Sequence, residues 1–172
     1  MATSFKVGDR VALPQVGTGS VVAIGVNDAF GAGREFYQIR PDRQSSTIYI
    51  PTDLDPGERG LRRVMNAKQA RQVLETMARA EVLMADPEWR RTLRDRVRAG
   101  AMEDQAILVR DLHVRMQHKR LSTPEKVYLE KGMDALLEEL TEALHQPAEE
   151  VRAQVDKALA AASEREKVSP SS

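Results

Sequence analysis

The chain has 172 residues, 41% of them hydrophobic, which suffices for one ordinary domain or two small ones with real cores. It contains no cysteine, which excludes a disulfide framework and a zinc ribbon and fits a reducing cytoplasm. The formal net charge is +0, yet along the chain it runs from about +1 over residues 1–63 through about +4 over 64–121 to about −5 over 122–172. A basic middle third facing an acidic end suits an acidic partner held in one orientation.

Residues 1–63 read as a small β domain. Short runs rich in Val, Ile, Phe and Tyr, at Phe5 to Leu13, Ser20 to Val26, Glu35 to Arg40 and Thr47 to Ile50, are separated by Gly, Pro, Asn and Asp. This spacing predicts a strongly bent antiparallel sheet closing into an SH3-like or Tudor-like barrel. Val7-Gly8-Asp9 and Gly17-Thr18-Gly19 mark tight bends, and Phe30-Gly31-Ala32-Gly33 marks a hairpin tip.

The period becomes helical from residue 64, so the fold class is α+β, with an all-α bundle over 64–162. Asn66 with Gln69 resembles a capping box, Asp86-Pro87 is an N-cap before a first-turn proline, and Ser122 or Thr123 with Pro124 and Glu125 repeats the signal. Four or five helices are expected, with stripes Val73, Leu74, Met77; Leu108, Leu112, Met116; Leu129, Met133, Leu136, Leu137, Leu140, Leu144; and Val151, Val155, Leu159. Residues 163–172 lack a stripe and end in Pro170 and serines, so a disordered tail is expected there.

Catalytic chemistry finds little support. His113, His118 and His145 have no metal-ligand spacing with carboxylates and are expected on solvated helix faces. Gly17-Thr18-Gly19 precedes a strand rather than a helix and lacks the Lys-Ser/Thr of a phosphate loop. Glu138-Glu139 and Glu149-Glu150 fall in highly charged helical stretches, where a solvated face is expected. No enzyme, cofactor or metal is therefore expected. No apolar run approaches the roughly 20 residues of a bilayer span, and Met1 to Phe5 lacks a signal-peptide pattern, so a cytoplasmic protein without a membrane partner is expected.

The most informative segment is the helix opened by Asp86-Pro87-Glu88-Trp89-Arg90-Arg91, which holds the chain's single tryptophan. At 100° per residue Trp89, Leu93 and Val97 form one line, so Trp89 either caps a buried stripe or projects past it. Arg90, Arg91, Arg94 and Arg98 fall within roughly 100° of one another on the adjacent face, with Asp95 off it. Such grouped like charges repel by a few tenths of a kcal/mol per i,i+4 pair, and phosphate is a natural compensating partner. One flat ring beside clustered guanidiniums suits a wedge against a base step.

Six segments in collinear order, spanning about residues 4 to 162, resemble the CarD/CdnL family of bacterial RNA polymerase-binding regulators. They are Phe5-Lys6-Val7-Gly8-Asp9, the Pro14 to Gly17 turn with Gly19-Ser20-Val21, Ile48-Tyr49-Ile50-Pro51, Trp89-Arg90-Arg91, Val109-Arg110-Asp111-Leu112, and Leu121-Ser122 with Glu125-Lys126. The resemblance implies an N-terminal Tudor-like domain, similar to the polymerase-interacting domain of transcription-repair coupling factors, that docks on the first lobe of the polymerase β subunit. It also implies a helical domain that reaches promoter DNA. On that pattern Trp89 enters the minor groove at the upstream edge of the transcription bubble, and Arg91 and Arg94 match basic DNA-contacting positions. Arg90 and Arg98 join them from the helical wheel, and Thr92 stands where a further basic residue is common. Polymerase-facing positions fall near Asn27 and Tyr49, which are arginines in some members. Strand alternation independently turns Thr47 and Tyr49 outward and Ile48 and Ile50 inward. The expected protein is a monomeric, sequence-tolerant regulator of initiation. Its rivals are a protein-only adaptor, whose arginines meet an acidic partner, and a module that binds structured RNA.

Overall fold

A computed structural model describes residues 4–14, 16–79, 87–98 and 100–168. Five strands, β1 (Arg10–Leu13), β2 (Gly17–Val26), β3 (Glu35–Pro41), β4 (Ile48–Pro51) and β5 (Arg62–Arg63), form one antiparallel sheet in the order β4-β3-β2-β1-β5. Register shifts between Val21 and Ala23 where β2 pairs with β3, and such a bulge adds bend and twist. The result is a curled half-barrel, in keeping with a Tudor-like sheet. Its inner face packs Val11, Val21, Tyr37, Ile39 and Ile50 together with Phe5 and Leu61. Two differences from expectation follow from that core. Phe5 to Asp9 are not strand, because Phe5 drops edge-on against the Tyr37 ring at 5.7 Å and the chain turns at Val7-Gly8 before entering β1. β5 is too short to show alternation, and the buried Leu61 beside it anchors it.

Among the described residues five helices follow: α1 (Ala67–Ala78), α2 (Pro87–Arg98), α3 (Met102–Met116), α4 (Thr123–Leu144) and α5 (Ala148–Val168). Asn66 and Ser122 form reciprocal capping boxes with Gln69 and Glu125, each satisfying backbone donors that a helix start leaves orphaned. Asp86, the expected cap of α2, lies outside the described residues. α3 is the central post, touching α1, α2, α4 and α5. That position explains why it buries Asp104, Gln105, Arg110 and Asp111 along with its apolar stripe. The guanidinium of Arg110 donates to Asp111 Oδ1 at 2.7 Å and to the Thr76 carbonyl at the end of α1 at 3.0 Å. The stripe stops at Leu112, because Met116 at the helix end is exposed.

The α4 and α5 stripes are buried as expected at Leu136, Leu140, Val151, Val155 and Leu159, with Leu129, Met133, Leu137 and Leu144 packed at their margin. α5 runs past the expected boundary at 162. Ser163, the first residue of the expected tail, is buried beside Ala162, and the helix continues to Val168. Residues 169–172 lie outside the described residues.

Candidate nucleic-acid and partner interface

The helix α2 is amphipathic in the way its sequence predicts. Leu93 and Val97 are buried against Leu108, Leu112 and Leu121, so one face of α2 is committed to the bundle. Arg91, Arg94 and Arg98 line one groove on the solvent side. Arg91 and Arg98 keep 75% and 73% of their side-chain surface exposed, and their nearest carboxylates, Glu88 at 3.7 Å and Asp95 at 4.0 Å, are long and solvated. Exposed pairs of that kind contribute about 0–1 kcal/mol and are readily exchanged for a stronger anion. Asp95 lines the same groove rather than standing off it, which lowers the local positive charge without capping it. Trp89 and Arg90 lie in the first turn of α2, four residues or fewer before Leu93, and the directions of their side chains lie outside the described residues. Arg96 points elsewhere. Its guanidinium meets Asp104, in the first turn of α3, at 2.8 Å and fastens the two helices. Burial pushes the Asp104 carboxyl up from its ordinary value, and the Arg96 charge opposes that rise.

On the sheet, Tyr49 sits half-buried on the outer face of β4, while Ile50 faces the core. β4 ends the strand order, so its outer backbone edge has no strand partner among the described residues. Thr47 immediately precedes β4 and is half-buried. Asn27 caps a short 3-10 turn, Asp28–Phe30, its side-chain oxygen accepting from the Ala29 N–H at 3.1 Å. That turn folds Phe30 against Tyr49, with ring centroids 5.1 Å apart, and both rings pack with the buried Phe36. The residues near Asn27 and Tyr49 thus form one surface, joined by Phe30. Sequence reasoning placed Phe30 only at a hairpin tip. The overlooked signal is a large aromatic in a glycine-rich turn, where an exposed ring at 55% needs another ring to lean on.

A cleft of about 680 Å³ borders both regions, lined among others by Tyr49, Ile48 and Phe30 on the sheet side and by Val97, Arg98 and Tyr128 on the helical side.

What holds the helices to the sheet is a polar seam along α4, which the sequence assigned to solvent. Glu139 is 1% exposed and accepts from both terminal nitrogens of Arg62, at 2.5 and 2.7 Å, and from the Met65 N–H at 2.8 Å. Glu138 accepts from the Thr18 N–H at 3.1 Å, and it shares the single proton of the Thr18 hydroxyl with Asp42. Glu142 accepts from Arg10 Nε at 2.7 Å, while the rest of that guanidinium grips Asp42. The Arg10 guanidinium beside it, aided by the Thr18 hydroxyl, holds the Asp42 carboxyl below its ordinary value. Three carboxylates one turn or less apart therefore meet two arginines and a threonine of the sheet. A run of charges reads as a solvated face because its partners lie more than 70 residues earlier.

Of the histidines, His118 and His145 are exposed, whereas His113 is half-buried and burial pushes its imidazole below the ordinary value. Among the described residues no group of three or more His, Asp or Glu side chains is placed to hold a metal ion, and no helix is long and apolar enough to cross a membrane.

Two family models match the chain. The one described as "CarD-like/TRCF RID domain" covers residues 5–65, and the one described as "CarD, C-terminal domain" covers residues 69–156. Asn66, the cap of α1, falls between them. The Bacillus subtilis (strain 168) protein named "Putative transcription factor YdeB" is 25% identical over 139 residues, which is 79% of this chain and 90% of that protein.

Proposed function

Since the chain belongs to the CarD family of transcription regulators, we propose that it binds bacterial RNA polymerase and stabilises the open promoter complex. In this reading the surface around Asn27, Thr47 and Tyr49 docks on the first lobe of the β subunit. Arg90, Arg91, Arg94 and Arg98 hold phosphates, and Trp89 presses against the upstream edge of the bubble. The single observation that carries the reading is the split of α2, with Leu93 and Val97 buried while Arg91, Arg94 and Arg98 line one exposed groove. That split leaves Arg91 and Arg98 exposed on the side of α2 turned away from the bundle.

The energetics favour the open form. Inserting a ring costs a few kcal/mol of unstacking in intact duplex and less at a fork where stacking is already broken. A regulator shifts an equilibrium only by its differential affinity, and about 1.4 kcal/mol of preference raises the open-to-closed ratio roughly tenfold. Phosphate contacts add retention without sequence selection. Docking on polymerase supplies a high local concentration, so weak free affinity for DNA suffices. The protein performs no reaction and needs no cofactor in this scheme, and it works in the cytoplasm on the nucleoid.

The deciding measurement is the lifetime of competitor-resistant open complexes on an unstable promoter, with wild type, Trp89→Ala and Tyr49→Ala. Wild type lengthens the lifetime, Trp89→Ala loses the gain while still binding polymerase, and Tyr49→Ala weakens binding itself. An unchanged lifetime with wild type refutes the mechanism in favour of a protein-only adaptor.

A further inference from the structure

We propose that Arg62 is a positioning residue that sets the angle of α2 against the sheet, and through it the place of Trp89 relative to β4. Its functional half rests on the assignment of those two faces above, whereas its geometric half rests on contacts alone. Arg62 lies in the two-residue strand β5, and its planar guanidinium is divided among separate elements. Nε donates to the Gly100 carbonyl, just past the end of α2, at 2.5 Å, and Nη1 and Nη2 clasp Glu139 of α4. Glu139 is held in turn by the Met65 N–H, so the anchor cannot swing. One rigid fork thus ties sheet, α2 and α4 together.

The backbone beneath it is fitted for that purpose. Gly60 and Gly100 both adopt positive φ, at 76° and 94°, and meet face to face. A Cβ on Gly100 would lie 2.6 Å from the Gly60 carbonyl oxygen, and one on Gly60 would lie 2.8 Å from that of Arg98. The end of α2 is therefore seated directly on the Gly60 turn that leads into β5, with Arg62 as its clamp. Leverage makes this consequential. Trp89 stands nine residues from Arg98, about 13.5 Å along the helix, so a tilt of about 10° at the clamp moves it by about 2.4 Å. That is a large part of the roughly 3.4 Å separating neighbouring base pairs.

The absence of cysteine allows a direct test. Spin labels at Arg40→Cys on β3 and Thr92→Cys on α2, both exposed positions, report the sheet-to-helix distance by pulsed electron double resonance. The parent should give one narrow distribution. Arg62→Ala should broaden or shift it, and so should Arg62→Met with Glu139→Gln, a pair that leaves no buried charge unmatched and so guards against simple unfolding. Arg62→Lys should fall between, because an ammonium keeps the charge but cannot span Glu139 and the Gly100 carbonyl together. Distributions identical to the parent in Arg62→Ala and in the double variant overturn the proposal, as does full rescue by lysine. In the unlabelled chain, the double variant should bind polymerase normally and lose the lifetime gain. A gain that survives a broadened distribution overturns the functional half. If wild type itself gives no gain, the open-complex reading fails, and the distance arm still decides the role of Arg62.

Discussion

Replacing Glu139 by alanine should destabilise the fold far more than its place in a charged helix suggests. The carboxylate is 1% exposed and accepts three hydrogen bonds, two from Arg62 and one from the Met65 N–H. Truncation leaves the Met65 N–H buried without its acceptor, a loss of about 1–3 kcal/mol. It also strips Arg62 of its counter-charge, and breaking one side of a buried ion pair costs about 3–5 kcal/mol. The Arg62 side chain is 25% exposed, so water recovers part of that second loss. The two losses also share one geometry and do not add fully, which leaves a net of about 3 kcal/mol. For a chain of this size each kcal/mol shifts Tm by about 2–4 °C, so Glu139→Ala should lower it by about 6–12 °C in far-ultraviolet circular dichroism melts. Glu130→Ala is the matched control, an exposed glutamate on the same helix, and should shift Tm by no more than about 2 °C. Equal shifts for the two variants would refute the claim that the seam, rather than helix charge in general, holds the sheet to the bundle.

Leu93→Ala should cost about 2–5 kcal/mol of packing under α2, read as faster hydrogen exchange across α2 and α3 while the sheet amides remain protected. Arg91→Ala should weaken binding to forked duplex equally for all sequences and reduce the slope of log affinity against log salt by about 0.9; a variant that weakens only selected sequences would count against a phosphate contact. His113 carries a depressed value because it is buried, so below about pH 6.5 the unfolded chain binds the proton more readily and stability falls as pH drops through that window. Denaturation midpoints should therefore rise between about pH 5 and pH 7, and His113→Gln should flatten that rise.

What could be read from the sequence was local. Asn66 with Gln69 and Ser122 with Glu125 announce their helices because a capping box is complete within four residues. The stripe Val151, Val155, Leu159 reveals its buried face for the same reason, as does the alternation that turns Ile50 inward and Tyr49 outward. Where partners are distant, pattern fails. Nothing near Glu138, Glu139 or Glu142 hints at Thr18, Arg62 and Arg10, and a carboxylate in an acidic helix reads as solvated until the sheet is folded beside it. The buried charges of α3 were hidden likewise, since a helix packed against four others keeps little solvent face to compare with. Among the candidate site residues, the grouping of Arg91, Arg94 and Arg98 was legible from the wheel, whereas the closeness of the Asn27 turn to Tyr49 depends on Phe30, a contact across 19 residues that periodicity does not encode.

The seam also sets a timetable for the newborn chain. Arg62 and Glu139 are 77 residues apart, and Arg10 and Glu142 are 132 apart. At about 5–20 residues per second, α4 follows β5 out of synthesis by roughly 4–15 seconds. The sheet can curl and bury Phe5, Ile39 and Leu61 early, with Arg10 already able to grip Asp42, but Arg62 does not meet Glu139 until α4 arrives. α2 is made in between, before Glu139 reaches Arg62. A truncated product that stops before α4 therefore carries α2 and β5 without the Glu139 carboxylate that holds Arg62.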